Sequence, residues 1–395
     1  MKLGPGTLIA AAFIGPGTVT VCTLSGFNFG YEQLWVLLVA GITTIVFQNM
    51  AARIGFTTKQ GISEVVASNL QKSIPRLFGF TLIIAAIFVG NAAYEAGNIA
   101  GGALGIEILI DDSWSYQDLN LVNLLIGFIA FVLLYLGSYK AIEKILIGVV
   151  IAMASCFFLT SLLLLPPLLD ILKGLFLPTI RGDEILSVIA LVGTTVVPYN
   201  LFLHASIVNE AKNKSLTLRD IQRDTILSIS LGVVISMSII IVAAAVRETG
   251  LEVTKAADLA KGIETILGKA GQILVACGLL AAGITSAVTA PLAAGYAISG
   301  LFSQSKTVFR YTWMTVLVVG ICFSTIGYKS ITIIKVAQIA NGLLLPIIAF
   351  YLFWIVNKKS IMNEQVNSRI QNIMAGVVLV VVSVLSVKTF MSLFL

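Results

Sequence analysis

Runs of about twenty apolar residues recur from one end of the chain to the other, separated by short polar or basic stretches. A helix of that length crosses the roughly 30 Å hydrocarbon core of a bilayer. On that measure the chain holds eleven spans, over 5–27, 32–54, 78–108, 120–138, 141–168, 184–209, 220–246, 263–300, 306–327, 331–356 and 368–394. The third and eighth are longer than a bilayer requires, so they are expected to tilt or to project from it. The pattern predicts an all-α integral membrane protein, one domain over 1–395, with no soluble domain.

Two spans carry helix breakers near their middle. The first contains Gly15-Pro16-Gly17-Thr18 and the sixth contains Gly193-Thr194-Thr195-Val196-Val197-Pro198. Proline lacks an N–H and clashes with the preceding turn, while glycine adds freedom. Carbonyls freed there cannot face lipid; they need protein, water or an ion. The half-helix beginning after Thr18 offers unpaired N–H groups and a positive dipole end. One such interruption reads equally well as a kink, since Gly and Pro are frequent in membrane helices. Two of them, each opening a block of five spans, read as a binding site. Five is odd, so the blocks have opposite orientations, which is the inverted-repeat pattern of secondary transporters. The expected division is repeat one over 5–168, repeat two over 184–356, and an extra helix over 368–394.

Composition agrees. Of 395 residues, 58% are hydrophobic and 11% charged, with a mean hydropathy of +1.00; soluble domains carry about 25% charge. The net charge of +6 reflects topology, because the basic residues sit in short loops and form no stripe for nucleic acid. With the N-terminus in the cytoplasm, 16 of the 25 basic residues but only 6 of the 19 acidic ones lie inside. That predicts an outside C-terminus, in a bacterial plasma membrane. Cys22, Cys156, Cys277 and Cys322 lie within apolar spans without metal-ligand spacing, so neither disulfides nor zinc are expected. Met1-Lys2 runs directly into the first span, so no cleaved signal is expected. Acid, base and nucleophile are nowhere clustered, so no enzyme and no cofactor are expected. The partners are a transported ion or small solute and the lipid bilayer, not nucleic acid; the pattern carries no oligomeric signal.

Several polar residues stand out within spans. Glu95 lies in the third, in "VGNAAYEAGNIAGG". An intramembrane carboxylate is costly and is a functional candidate by default; otherwise it faces the outer vestibule or bridges to Lys335. His204, the only histidine, follows Pro198 by six residues. It suits either a proton relay or a hydrogen-bonded packing role. Ala282, Thr285 and Ser286 form Ala-x-x-Thr-Ser in the eighth span, suiting either a hard monovalent ion or hydrogen bonding between close helices. Gly101-Gly102 and Gly295 read as close packing, since no strand precedes them to make a phosphate loop.

The segments "GPGTLIAAAFIGPGTVTVCTLSGFNFGYEQLWVLL", "VPYNLFLHASIV", "LLAAGITSAVTAPLAAGY" and "AQIANGLLLP" resemble the Nramp (natural-resistance-associated macrophage protein) metal-ion transporters, in order and over nearly the whole chain. The resemblance implies a LeuT-like fold of the APC superfamily: inverted five-helix repeats, broken first and sixth helices, and an eleventh helix. It also implies divalent metal transport. The family's Asp-Pro-Gly-Asn, however, is Gly15-Pro16-Gly17-Thr18 here, and its Met-Pro-His is Val197-Pro198-Tyr199. Carboxylate, amide and thioether are thus missing, and the proton-linked histidine is Tyr199. Gln338 matches a residue that helps hold metal. Glu95 falls where the family has a proton-pathway aspartate, Asn98 where it has a glutamate, and His204 on a second histidine. Sodium-coupled members of the superfamily place the Ala282, Thr285 and Ser286 pattern against the unwound first span. The expected substrate site is Gly15, Thr18, Thr194, Val197, Tyr199 and Gln338; the expected coupling set is Glu95, Asn98, His204, Ala282, Thr285 and Ser286. Bare Mn²⁺ or Fe²⁺ calls for anionic oxygen or a soft ligand. An uncharged site suits a weakly held or hydrated divalent cation such as Mg²⁺, which keeps its waters. Alternatively it suits a small carboxylate-bearing solute such as an amino acid, received at the half-helix N-terminus and driven by Na⁺ or H⁺.

Overall fold

The computed structural model describes residues 15–394, except 71–72, 111–114, 117–118, 138–139, 181–183, 212–216, 248–257, 259 and 327. The opening half of the first predicted span, the Met1-Lys2 start and the acidic residues Asp111, Asp112 and Asp118 lie outside the described residues. The helices in order are α1 (Pro16–Phe29), α2 (Leu34–Thr58), α3 (Ile62–Asn69), α4 (Ser73–Ile110), α5 (Leu121–Leu136), α6 (Lys140–Leu163), α7 (Leu168–Phe176), α8 (Ile185–Thr195), α9 (Pro198–Ala211), α10 (Leu218–Arg247), α11 (Lys261–Leu301), α12 (Lys306–Thr325), α13 (Ser330–Val356), α14 (Lys359–Met362) and α15 (Arg369–Phe394). A two-residue hairpin, Ser115–Tyr116 against Leu119–Asn120, precedes α5.

Among the described residues, nine helices are long and apolar enough to cross a membrane, counting α8 and α9 as one. The 16-residue α5 is apolar but shorter, and α1 is the described half of the first span. In order, these helices fall on the eleven expected spans, nine of them long and apolar enough by themselves to cross a membrane. The boundaries differ where local chemistry intervenes. The fifth span, α6, stops at Leu163, not 168, because Pro166-Pro167 follow and cannot continue it. Beyond them α7 is a separate amphipathic helix with Leu168, Leu169, Leu172 and Phe176 exposed, suited to the membrane interface. The long eighth helix, α11, bends at Gly268, which has φ 58°. Asn120 begins α5 by accepting from the N–H groups of Val122 and Asn123 at 3.0 and 3.1 Å.

The sixth span is the most enclosed, with 89% of its apolar window buried, against 33% for α12 and α15. A span hidden from lipid is free to carry polar groups and irregular backbone. Around it, α13 packs on α8, α9 on α2, and α4 lies along both α11 and α13. The first helix, α1, is buried along most of its length and packs against α10. The peripheral α15 rests on α13, α8 and α2.

Candidate functional site

Pro16 is the first residue of α1, with Gly15 extended before it at φ −111° and ψ −174°. No side chain caps this end, and the first intrahelical bond runs from the Val19 N–H to the Gly15 carbonyl at 3.2 Å. The Gly17 N–H, in the first turn, therefore has no partner within the helix. In the sixth span, α8 continues through Gly193 and Thr194 to Thr195, and the interruption is confined to Val196 and Val197. Gly193 is thus no breaker. Its missing side chain lets α8 lie directly on α13, where a Cβ would overlap the Gln338 carbonyl. The Thr195 carbonyl, freed by the break, shares the Thr44 hydroxyl of α2, at 3.2 Å, with the Ala40 carbonyl of that same helix at 2.7 Å.

The two interruptions meet. Thr18 and Thr194, 176 residues apart, share a hydroxyl–hydroxyl hydrogen bond of 2.9 Å with both side chains buried. The Gln338 side chain lies over Gly17 so closely that a Cβ there would overlap its amide. Gln338 is buried, and its Oε1 has no hydrogen-bond partner among the described residues. A Cβ on Gly15 would stand 3.4 Å from Ser286 Oγ and 3.9 Å from the Tyr94 hydroxyl. Tyr94 in turn meets Tyr199 edge to face, ring centroids 5.3 Å apart. The Tyr199 hydroxyl is buried beside Tyr94 without a well-formed hydrogen bond. Val197 and Ala282 pack with both tyrosines. Close approach of α4 to this cluster depends on Gly101, which lies against Pro16, and on Gly102, which faces Gly283.

Gly15, Thr18, Thr194, Val197, Tyr199, Gln338, Ala282 and Ser286 are thereby brought together. The other expected residues stand apart. Thr285 turns to its own helix, donating to the Ala281 and Ala282 carbonyls at 2.8 and 3.0 Å. His204 lies further along α9, its Nδ1 bonded to Gln48 Oε1 at 2.8 Å and its Nε2 without a partner among the described residues. Glu95 neighbours Tyr94 in sequence but points to the next face of α4, its side-chain carbons against Gly320 of α12. It is fully buried, so it lines no outer vestibule here. Its carboxylate oxygens accept no hydrogen bond among the described residues, and Lys335 is exposed and not paired with it. Asn98, one turn on, is buried beside the Glu95 carboxylate, its amide nitrogen without a well-formed hydrogen bond among the described residues.

Sequence reasoning missed Tyr94 and Thr44. Tyr94 had a signal, being the polar-tipped residue beside Glu95; Thr44 had none. Chemically the cluster offers hydroxyls, one amide and helix-end N–H groups, and no fixed charge. Among the described residues no group of three or more His, Cys, Asp or Glu could hold a metal ion.

The sequence matches the family described as natural resistance-associated macrophage protein-like over residues 6–392. It is 26% identical to the divalent metal cation transporter MntH of Mycobacterium leprae, over 98% of this chain and 90% of that one. It is 30% identical to metal transporter Nramp1 of Populus trichocarpa, over 79% of this chain and 59% of that one. Among solved structures, the Eremococcus coleocola manganese transporter in complex with an aromatic bis-isothiourea compound aligns with a TM-score of 0.76 at 19% identity, over 97% of this chain and 84% of that one. MhsT in complex with L-phenylalanine aligns with a TM-score of 0.65 at 18% identity, over 100% and 99% of the two chains. At those identities the two structures speak for the fold, which is LeuT-like.

Proposed function

The chain belongs to the natural resistance-associated macrophage protein family, and from that premise we propose that it is a secondary active transporter working by alternating access, with its cargo held between the breaks at Gly15–Thr18 and Val196–Val197. The observation that carries the reading is the buried Thr18–Thr194 hydrogen bond joining the two interrupted helices. Interrupted backbone at membrane depth is tolerated where it lines a site, and rocking of one repeat against the other exposes such a site to each side in turn. The repeats are 5–168 and 184–356, with 368–394 as the added helix and the N-terminus in the cytoplasm. The protein is a carrier and not an enzyme.

Its cargo differs from the family's usual ions. Gly15, Thr18, Val197 and Tyr199 stand where the family has its metal and proton ligands, and the cluster is uncharged. Stripping Mn²⁺ or Fe²⁺ of water requires anionic or soft ligands, so H⁺-coupled transport of those ions is disfavoured. A divalent cation that keeps its waters, such as Mg²⁺, fits hydroxyls and the Gln338 amide. Proteoliposomes are expected to take up Mg²⁺, with Gln338→Ala weakening uptake. Absence of Mg²⁺ and Mn²⁺ flux and binding across the millimolar range would sink this reading.

One observation favours a second cargo. Both α1 and α9 present a helix N-terminus, at Pro16 and Pro198, to a cluster without a competing carboxylate. Such ends receive anionic groups, as of a small carboxylate-bearing solute moved with Na⁺ or H⁺. Coupling would then fall to Glu95, Asn98, His204 or the Ala282, Thr285 and Ser286 set. An amino- and carboxylic-acid screen should find a compound that raises the melting temperature, with the gain lost in Thr18→Val or Tyr199→Phe. A screen without any stabiliser removes this alternative.

A further inference from the structure

Pro346 lies within α13 and has no N–H to give, so the carbonyl one turn earlier, at Gly342, is left without its intrahelical donor. Ser386 of α15 supplies the replacement: its hydroxyl donates to Gly342 O at 2.9 Å, and both groups are buried. Gly342 is one turn from Gln338. The turn between them is also pressed by α8, where a Cβ on Gly193 would overlap Gln338 O and come within 2.8 Å of Gly342 N. The eleventh helix therefore reaches the very turn that presents Gln338 to the site, and closes the gap left by the proline. Its base is also held. Arg53, buried near the C-terminal end of α2, donates to Gln371 Oε1 at 3.2 Å, to the Gln365 carbonyl at 3.4 Å and to Asn367 Oδ1.

We propose that Ser386 is a positioning residue for the transport site, acting through the Gly342 carbonyl to fix the Gln338 turn, and that α15 is thus part of the transport machinery and no peripheral addition. This rests on the reading that Gln338 holds cargo. Loss of one buried hydrogen bond corresponds to about a fivefold change in an equilibrium. Ser386→Ala is expected to raise the KM for Mg²⁺ uptake into proteoliposomes about fivefold at unchanged maximal rate. Ser386→Thr should keep the wild-type value, and Ser386→Ala should add nothing in a Gln338→Ala background. Independently of any cargo, hydrogen exchange at amides 338–345 and 189–195 should quicken in Ser386→Ala and not in Ser386→Thr. Unchanged exchange at those amides would overturn the proposal, as would KM effects of the two substitutions that multiply. If the wild type carries no Mg²⁺, the cargo reading fails, while the exchange measurement still decides the role of Ser386.

Discussion

A side chain at Gly15 would meet Ser286 Oγ and the Tyr94 hydroxyl at ordinary contact distances, 3.4 and 3.9 Å. The Cβ of an aspartate should therefore be accepted there, beside two hydroxyls that can donate to its carboxylate. Gly15→Asp is expected to raise Mn²⁺ affinity at least tenfold, a gain of about 1.4 kcal/mol or more, measured by isothermal titration. Unchanged affinity would mean that the missing charge is not what sets ion preference. Gly17 behaves oppositely, since a Cβ there overlaps the Gln338 amide. Gly17→Ala is expected to push that side chain out and so reproduce the transport defect of Gln338→Ala, with no further loss in the double variant. Independent, additive defects would show that the two residues do not act together. The site residues were legible in sequence where a breaker or a family motif marked them. Thr285 turns to its own helix while Ser286 faces Gly15, a difference that Ala-x-x-Thr-Ser does not carry, since it fixes spacing but not which hydroxyl turns inward.

At the scale of the element, an interrupted helix needs a partner for every carbonyl it frees. Thr44 serves Thr195 in this way. Thr44→Val keeps the shape and removes a donor shared between the Thr195 and Ala40 carbonyls, and should lower stability by about 1 kcal/mol, the net worth of one hydrogen bond; Thr44→Ser should restore it. Equal melting temperatures for all three proteins would argue that water already serves that carbonyl. The sequence marked the break over 193–198, whereas the helix persists to Thr195. Glycine signals flexibility and close approach alike, and only the neighbouring α13 shows that Gly193 serves the second.

For the whole molecule, sidedness and coupling are the open quantities. With the N-terminus inside, an impermeant thiol reagent should label a cysteine at exposed Lys359 only from the cytoplasm and one at exposed Asp170 only from outside. The reverse pattern would invert the topology. Glu95 stands outside the cargo cluster, fully buried and without an ion pair among the described residues. Glu95→Gln is accordingly expected to abolish uptake driven by an imposed pH gradient while leaving cargo binding intact. Uptake that still follows the gradient would reduce Glu95 to a packing residue.

The eleven spans, their order and the two interruptions were set by sequence alone. In lipid a backbone must satisfy its own hydrogen bonds, so length, hydropathy and the Pro and Gly positions nearly suffice. The rotation of each helix was not set. A helix apolar on all sides carries no stripe to say which face meets a neighbour. Tertiary packing alone decided that Tyr94 joins the site while adjacent Glu95 turns to Gly320, that Thr18 meets Thr194, and that Ser386 answers the carbonyl freed by Pro346.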